Sequence, residues 1–189
     1  GGMGAYTPVP QIPEEAVQQA ISQVLKPTAK GMVAEKRPFQ GILYAGLIQT
    51  ATGPKVIEFN ARFGDPETQV VLARLESPLS EIISSLLVKE QPTIAWNELA
   101  SVGVVVAAEG YPNQYKTNLP LPEMSGETIY YAGVTRSEQA LVSAGGRIFL
   151  AEATASTLEE ARKKVYQTLD NYSFPGMYYR KDIGVKGLI

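Results

Sequence analysis

The chain has no cysteine and no histidine among its 189 residues. Thiol nucleophiles, disulfides, thiolate zinc sites and imidazole bases are therefore excluded. So is every Ser-His-Asp or Cys-His mechanism built from this chain alone. Any catalysis must rest on carboxylates, amides, lysine, arginine, tyrosine, hydroxyls or a metal. Phosphoryl transfer is the large reaction class that needs no imidazole, because positioning and charge stabilisation carry most of it. Neither sign of charge is in large excess, with 17 basic and 19 acidic residues. The net charge of −2 gives no nucleic-acid footprint. No apolar run approaches a membrane span. The first residues carry neither the charged nor the apolar region of a signal peptide. The lack of cysteine is compatible with a cytoplasmic setting.

The length fits one domain or two small ones, and the 44% hydrophobic content is that of a globular protein. Residues 1–13 are rich in glycine and proline and read as a loop, with a mobile free end expected. A helix opens at Pro13-Glu14-Glu15, and Pro27 is expected to kink or end it. Gly41 to Gln49 is uncharged and apolar, which predicts a strand buried on both faces. After the turn at Ala51-Thr52-Gly53-Pro54, Lys55 to Asn60 reads as the returning strand of an antiparallel hairpin. Pro66-Glu67-Thr68 opens another helix. Ser77-Pro78 predicts the N-cap and first residue of the next, with Leu79, Ile82, Ile83 and Leu86 on one face. Residues 89–98 read as a linker. Beyond it come strands at Ser101–Ala108, Thr128–Val134 and Arg147–Ala153, with an irregular stretch over 112–126. A helix capped by Thr157 and Glu160 follows. Its Arg162-Lys163-Lys164 run reads as a solvated face.

The stretch Glu58-Phe59-Asn60-Ala61-Arg62-Phe63-Gly64-Asp65-Pro66-Glu67 carries the chemistry. On a strand, alternation places Val56, Glu58 and Asn60 on one face and Ile57 and Phe59 on the other, core-facing one. Glu58 and Asn60 then offer two hard oxygen donors, their α-carbons about 7 Å apart. Magnesium bound to phosphate suits such a pair, because the ion takes few protein ligands and keeps water and phosphate oxygens. Arg62 is placed to hold a phosphate or to stabilise charge on a transferring phosphoryl. A structural ion pair with Asp65 or Glu67 is the alternative. Gly64, Asp65 and Pro66 form a tight turn into a helix start, where anions are favoured. Asp65 either orients a substrate amine or caps that helix. Gly1, Gly2, Met3 and Gly4 would let the backbone approach a substrate phosphate or carboxylate. The polar cluster Arg180, Lys181 and Asp182 is expected to serve docking between domains.

Two of these segments resemble one family. Gly1-Gly2-Met3-Gly4-Ala5-Tyr6-Thr7-Pro8 is similar to the second half of a glycine-rich loop of the phosphoribosylamine–glycine ligases, members of the ATP-grasp superfamily. Glu58 to Gln69 resembles that family's central motif almost residue for residue. Gly41-Ile42-Leu43-Tyr44-Ala45-Gly46-Leu47, Ser101-Val102-Gly103-Val104-Val105, Gly145-Gly146-Arg147 and Arg180-Lys181-Asp182-Ile183-Gly184 add matches along the chain. Biotin carboxylases share the Glu-x-Asn-x-Arg core but not its Phe-Gly-Asp-Pro-Glu continuation.

The resemblance implies an α+β architecture. Residues 1–97 would be the C-terminal part of an ATP-grasp fold, a short antiparallel sheet with helices. Residues 98–189 would be a smaller β-rich domain with one main helix. It implies an ATP-dependent carbon–nitrogen ligase of purine biosynthesis, with Mg²⁺ or Mn²⁺ as cofactor. Its small-molecule substrates would be ATP, glycine and 5-phosphoribosylamine. Glu58 and Asn60 would bind the metal, Arg62 would act in catalysis, and Gly2, Gly4, Gly64 and Asp65 would contact substrate or phosphate. The family's N-terminal domains have no counterpart in this sequence, so they count among the expected partners, and the chain alone is expected to be inactive. A non-catalytic β-rich interaction module is the competing reading. A buried Glu58 would favour it.

Overall fold

Ala100–Ala108 is a nine-residue strand with every residue buried, as its run of valine and alanine requires. It is the centre of the larger sheet. In a computed structural model of the chain, residues 2–125, 128–138 and 140–188 are described. The strands are β1 (Gly4–Thr7), β2 (Tyr44–Thr50), β3 (Gly53–Asn60), β4 (Ala100–Ala108), β5 (Thr128–Tyr131), β6 (Val134–Arg136), β7 (Leu141–Ser143), β8 (Arg147–Ala155) and β9 (Met177–Tyr179). The helices are α1 (Glu14–Ala20), α2 (Lys26–Ala34), α3 (Glu67–Leu72), α4 (Leu79–Leu87) and α5 (Leu158–Asp170).

The chain separates into two compact units. One comprises residues 1–8, 65–76 and 96–189; the other comprises 9–64 and 77–95. β1 ties the N-terminal segment to the first unit: it pairs antiparallel with β4 across about a hundred intervening residues, Gly4 facing Val104 and Thr7 facing Ser101. The expected mobile end is thus a sheet strand over Gly4–Thr7. Gly1 lies outside the described residues.

The first unit is a five-stranded antiparallel sheet in the order β1-β4-β8-β5, with β9 also paired to β4. β1 takes the first half of β4 and β9 the second, Val106 facing Tyr179. The even-numbered valines Val102, Val104 and Val106 share one core with Ala161, Val165 and Leu169 of α5. The odd-numbered face lies under α3: a Cβ added to Gly103 would meet Val70 at 2.7 Å and Leu150 at 3.0 Å. Gly103 is the spacing that lets α3 lie against the sheet. Thr157 caps α5 by accepting from the Glu160 N–H at 3.2 Å. The Glu160 carboxylate accepts from Ser156 Oγ. Arg162 departs from the expected solvated run. Its guanidinium lies 4.6 Å from the Tyr166 ring and donates to the carbonyls of Ile183 and Lys181. Arg180 pairs with Asp182, and Lys181 with Asp170, so this cluster fastens the C-terminal strand region of its own unit.

Glu152 of β8 is 9% exposed and accepts from Ser101 Oγ at 2.7 Å. Burial pushes its carboxyl above the ordinary range, and the serine hydrogen bond only partly opposes this. Between the unfolded pKa and the raised one, the folded chain therefore holds a proton that the unfolded chain releases. This contribution to stability is full below the unfolded pKa and is lost as pH rises through the raised one. Glu152→Gln keeps an acceptor for Ser101 and removes the charge. The substitution is expected to raise the melting temperature at pH 7 by about 2–4 °C for each kcal/mol gained. At pH 4 the gain should vanish. Paired thermal melts at the two pH values read this directly; an equal gain at both would refute it.

In the second unit, α1 and α2 are joined by a wider turn over Ile21–Leu25, in which the Lys26 N–H reaches back to the Ile21 carbonyl. Pro27 sits in the first turn of α2. Of the two expected outcomes, a kink or an end, the helix does not end: the wider turn absorbs the proline. Pro78, not Ser77, is the residue preceding α4. Ser77 Oγ accepts instead from the Ala95 N–H at 2.8 Å. Leu79, Ile82, Ile83 and Leu86 line an apolar hollow with Ile42 and Phe63. β2 and β3 form a two-stranded hairpin. β2 is partly exposed on both faces, not buried, because a two-stranded sheet offers little cover.

Candidate functional site

The hairpin register decides which side chains meet. Gly46 faces Glu58 and Tyr44 faces Asn60, but Leu47 faces Val56, leaving Ile57 as an extra residue. That bulge reverses the alternation. Val56 therefore lies on the opposite face from Glu58, where simple alternation had put them together. Ile57 and Phe59, expected to enter a core, are 67% and 41% exposed. Between Glu58 and Asn60 the alternation is intact. Asn60 Nδ2 donates to Glu58 Oε1 at 3.0 Å. Glu58 is exposed and Asn60 half-buried. A Cβ on Gly46 would lie 3.2 Å from Glu58 Cγ, so the glycine leaves this face clear for the glutamate.

The pair fits a divalent cation of the magnesium type. It supplies one carboxylate and one amide, and leaves most coordination positions to water and phosphate. Rotating the Asn60 amide would turn its oxygen toward the same point as Glu58, and the open face permits this. Among the described residues, no group of three or more Asp or Glu side chains is arranged to hold a metal. Arg62 is exposed and donates from Nη1 to the Phe63 carbonyl at 2.7 Å. A guanidinium has five N–H donors, so this bond leaves the fork able to take an anion. Gly64, buried, ends the first segment of this unit.

Asp65 begins the next segment, in the other unit. It is not the cap of α3: Pro66 holds that position and makes no side-chain cap bond. Asp65 Oδ2 instead meets Arg147 Nη2 at 2.6 Å. Arg147 Nη1 also reaches the carbonyls of Gly2 and Asp65, each at 3.2 Å. The two glycines are tightly confined. A Cβ on Gly2 would lie 2.8 Å from Pro66 Cδ, and one on Gly4 would lie 2.6 Å from the Gly103 carbonyl oxygen. Close backbone packing thus accounts for both residues being glycine. Sequence reasoning gave no role to Arg147 or to Gln69. Gln69 lines a small cavity beside Arg147 and Tyr130, and its Oε1 is buried without a hydrogen bond among the described residues. No local pattern in the sequence marks either residue.

Comparison with known proteins gives this arrangement a class. The family model described as "Phosphoribosylglycinamide synthetase, ATP-grasp (A) domain" matches residues 1–68, and the one for the C domain of the same synthetase matches residues 101–186. The chain also superposes with a TM-score of 0.67 on the biotin carboxylase domain of Hydrogenobacter thermophilus 2-oxoglutarate carboxylase. That pair is 16% identical, covering 97% of this chain and 44% of the other, so the likeness is one of fold alone. The fold is the later part of an ATP-grasp architecture, α+β with short antiparallel sheets.

The phosphoribosylamine–glycine ligase of Halalkalibacterium halodurans is 51% identical over 192 aligned positions, covering 100% of this chain and 45% of that protein. That of Lactococcus lactis is 50% identical, again over the whole chain and 46% of the protein. The Thermotoga maritima phosphoribosylamine–glycine ligase structure superposes with a TM-score of 0.87 at 31% identity, covering 96% of this chain and 46% of that one. The chain belongs to the phosphoribosylamine–glycine ligase family, also called phosphoribosylglycinamide synthetase. It spans a little under half the length of these relatives. No helix among the described residues is long and apolar enough to cross a membrane.

Proposed function

We propose that the chain forms the C-terminal portion of a cytoplasmic phosphoribosylamine–glycine ligase. Residues 1–97 close its ATP-grasp domain and residues 98–189 form its C-terminal domain. The reaction has two steps. The γ-phosphoryl of ATP passes to a carboxylate oxygen of glycine, giving glycyl phosphate and ADP. The amine of 5-phosphoribosylamine then attacks the acyl carbon, the bond to the phosphate oxygen breaks, and a proton leaves the nitrogen. Glycinamide ribonucleotide and inorganic phosphate result.

The observation carrying this reading is the convergence of Glu58 and Asn60 on an open face of the hairpin, at 3.0 Å. Together they would hold Mg²⁺ or Mn²⁺, which neutralises phosphate charge when bound. Arg62 would stabilise charge on the phosphoryl group in flight. Gly2, Gly4, Gly64 and Asp65 would contact substrate or phosphate. An interaction module would have no use for an exposed carboxylate–amide pair above a cleared glycine, and Glu58 is exposed.

The test compares two proteins. A full-length ligase carrying this segment is expected to form glycinamide ribonucleotide from ATP, glycine and 5-phosphoribosylamine in a metal-dependent manner. The 189-residue chain alone is expected to show no turnover above background. Turnover by the isolated chain, or none by the full-length protein, would contradict the proposal.

A further inference from the structure

Arg147 lies 82 residues from Asp65 and 145 from Gly2, yet one guanidinium engages both segments. Nη2 meets the Asp65 carboxylate at 2.6 Å. Nη1 is shared between the Asp65 and Gly2 carbonyls, each at 3.2 Å. All three residues belong to the same compact unit. The Arg147 side chain is 19% exposed and that of Asp65 is 49% exposed. The cation is thus well shielded, while the carboxylate keeps an open side.

We infer that Arg147 is a positioning residue of the ligase: it fixes the Asp65 carboxylate and the Gly2 backbone in one geometry at the substrate side. This rests on the ligase reading above. A planar fork suits the task, since its donors point in fixed directions and satisfy three oxygens at once. A lysine ammonium in its place keeps the charge but not the fork. Arg147 is also rigidly founded. It starts β8, whose next residues Ile148 and Phe149 are fully buried, so the clamp is anchored in the core of the sheet and holds two exposed residues, Gly2 and Asp65. Gly2 is pinned from its other side by Pro66, the residue that follows Asp65. The arginine therefore completes a closed circuit of Gly2, Pro66, Asp65 and Arg147. A displacement of about 1 Å at such a positioning group costs about a hundredfold in rate.

The test uses the full-length ligase carrying Arg147→Lys, Arg147→Met, Asp65→Asn, and the double variant R147M/D65N. Arg147→Lys is expected to lower kcat/KM for glycine and 5-phosphoribosylamine by about 10- to 100-fold. The KM for ATP should stay within about 2-fold, and the melting temperature should be close to that of the wild type. Asp65→Asn should act alike, and it tests the pair even if Arg147 variants do not fold. The double variant should be no worse than the more damaged single one, because both remove the same contact. Full activity in Arg147→Lys, losses that multiply in the double variant, or losses that only follow the unfolded fraction would overturn the inference. An inactive wild type would instead overturn the ligase reading.

Discussion

Glu58→Gln in a full-length ligase should reduce metal-dependent ATP turnover by about 100- to 1,000-fold while leaving the melting temperature unchanged within about 1 °C. The magnitude follows from the position of the side chain. Removing one preorganised electrostatic group at a developing charge costs about a hundred- to a thousandfold. Glutamine keeps the size of glutamate but offers a neutral amide oxygen, a much poorer ligand for a hard divalent ion. Stability should not change, because Glu58 is exposed and its one side-chain partner in the hairpin, Asn60, also bonds readily to an amide oxygen. Activity titrated against Mg²⁺ and Mn²⁺ separates the outcomes. A lost metal site raises the metal concentration for half-maximal turnover, whereas a purely structural residue lowers activity at every concentration alike. Unchanged turnover with ordinary metal dependence would remove Glu58 from the site.

The meeting of Glu58 and Asn60 was legible because it depends on residue type and a two-residue spacing, which a strand converts into a shared face. Glu58 and Asn60 kept that relation since no bulge falls between them. Val56 lost it to a bulge one residue earlier, and no sequence pattern marks where a strand will take in an extra residue. The valine run of β4 and the Thr157 cap of α5 were equally local, and both appear as read, although the Glu160 carboxylate accepts from Ser156 Oγ. The missed features are those made by contacts distant in sequence. Gly4–Thr7 looked like a loop by composition, yet it finds an edge of β4 almost a hundred residues on. Arg162 looked like one charge in a solvated run. It is held by the carbonyls of Lys181 and Ile183, 19 and 21 residues further on. Arg147 had nothing local to distinguish it, since its three acceptors come from Gly2 and Asp65. Burial was misread for Gly41 to Gln49 because an apolar run says what could be covered, not how many strands are there to cover it.

The largest stability effect should come from the other unit, at Phe149. Its ring is 1% exposed and packs at 5.6 Å between centroids against Phe174, within the core that α5 closes. Phe149→Ala removes a whole ring from a sheet whose neighbouring strand, β4, is buried along its full length. Such truncations cost about 3–5 kcal/mol, the transfer loss adding to that of the cavity. Set against about 5–15 kcal/mol for a typical domain, that is about a fifth of the total or more. For a chain of this size the melting temperature should fall by about 10 °C, at about 2–4 °C per kcal/mol. Urea denaturation of the 189-residue chain should show the midpoint shifted with the slope retained. A shift below about 1 kcal/mol would mean the ring does not fill this core. Phe149 follows Arg147 by two residues on β8, so the same strand carries both the packing of the sheet and the proposed clamp. Glu58 and Asn60 belong to the other compact unit. Damage to the core should therefore reach Asp65 through Arg147 while leaving the hairpin pair intact, so Phe149→Ala should weaken use of glycine and 5-phosphoribosylamine before it changes metal dependence.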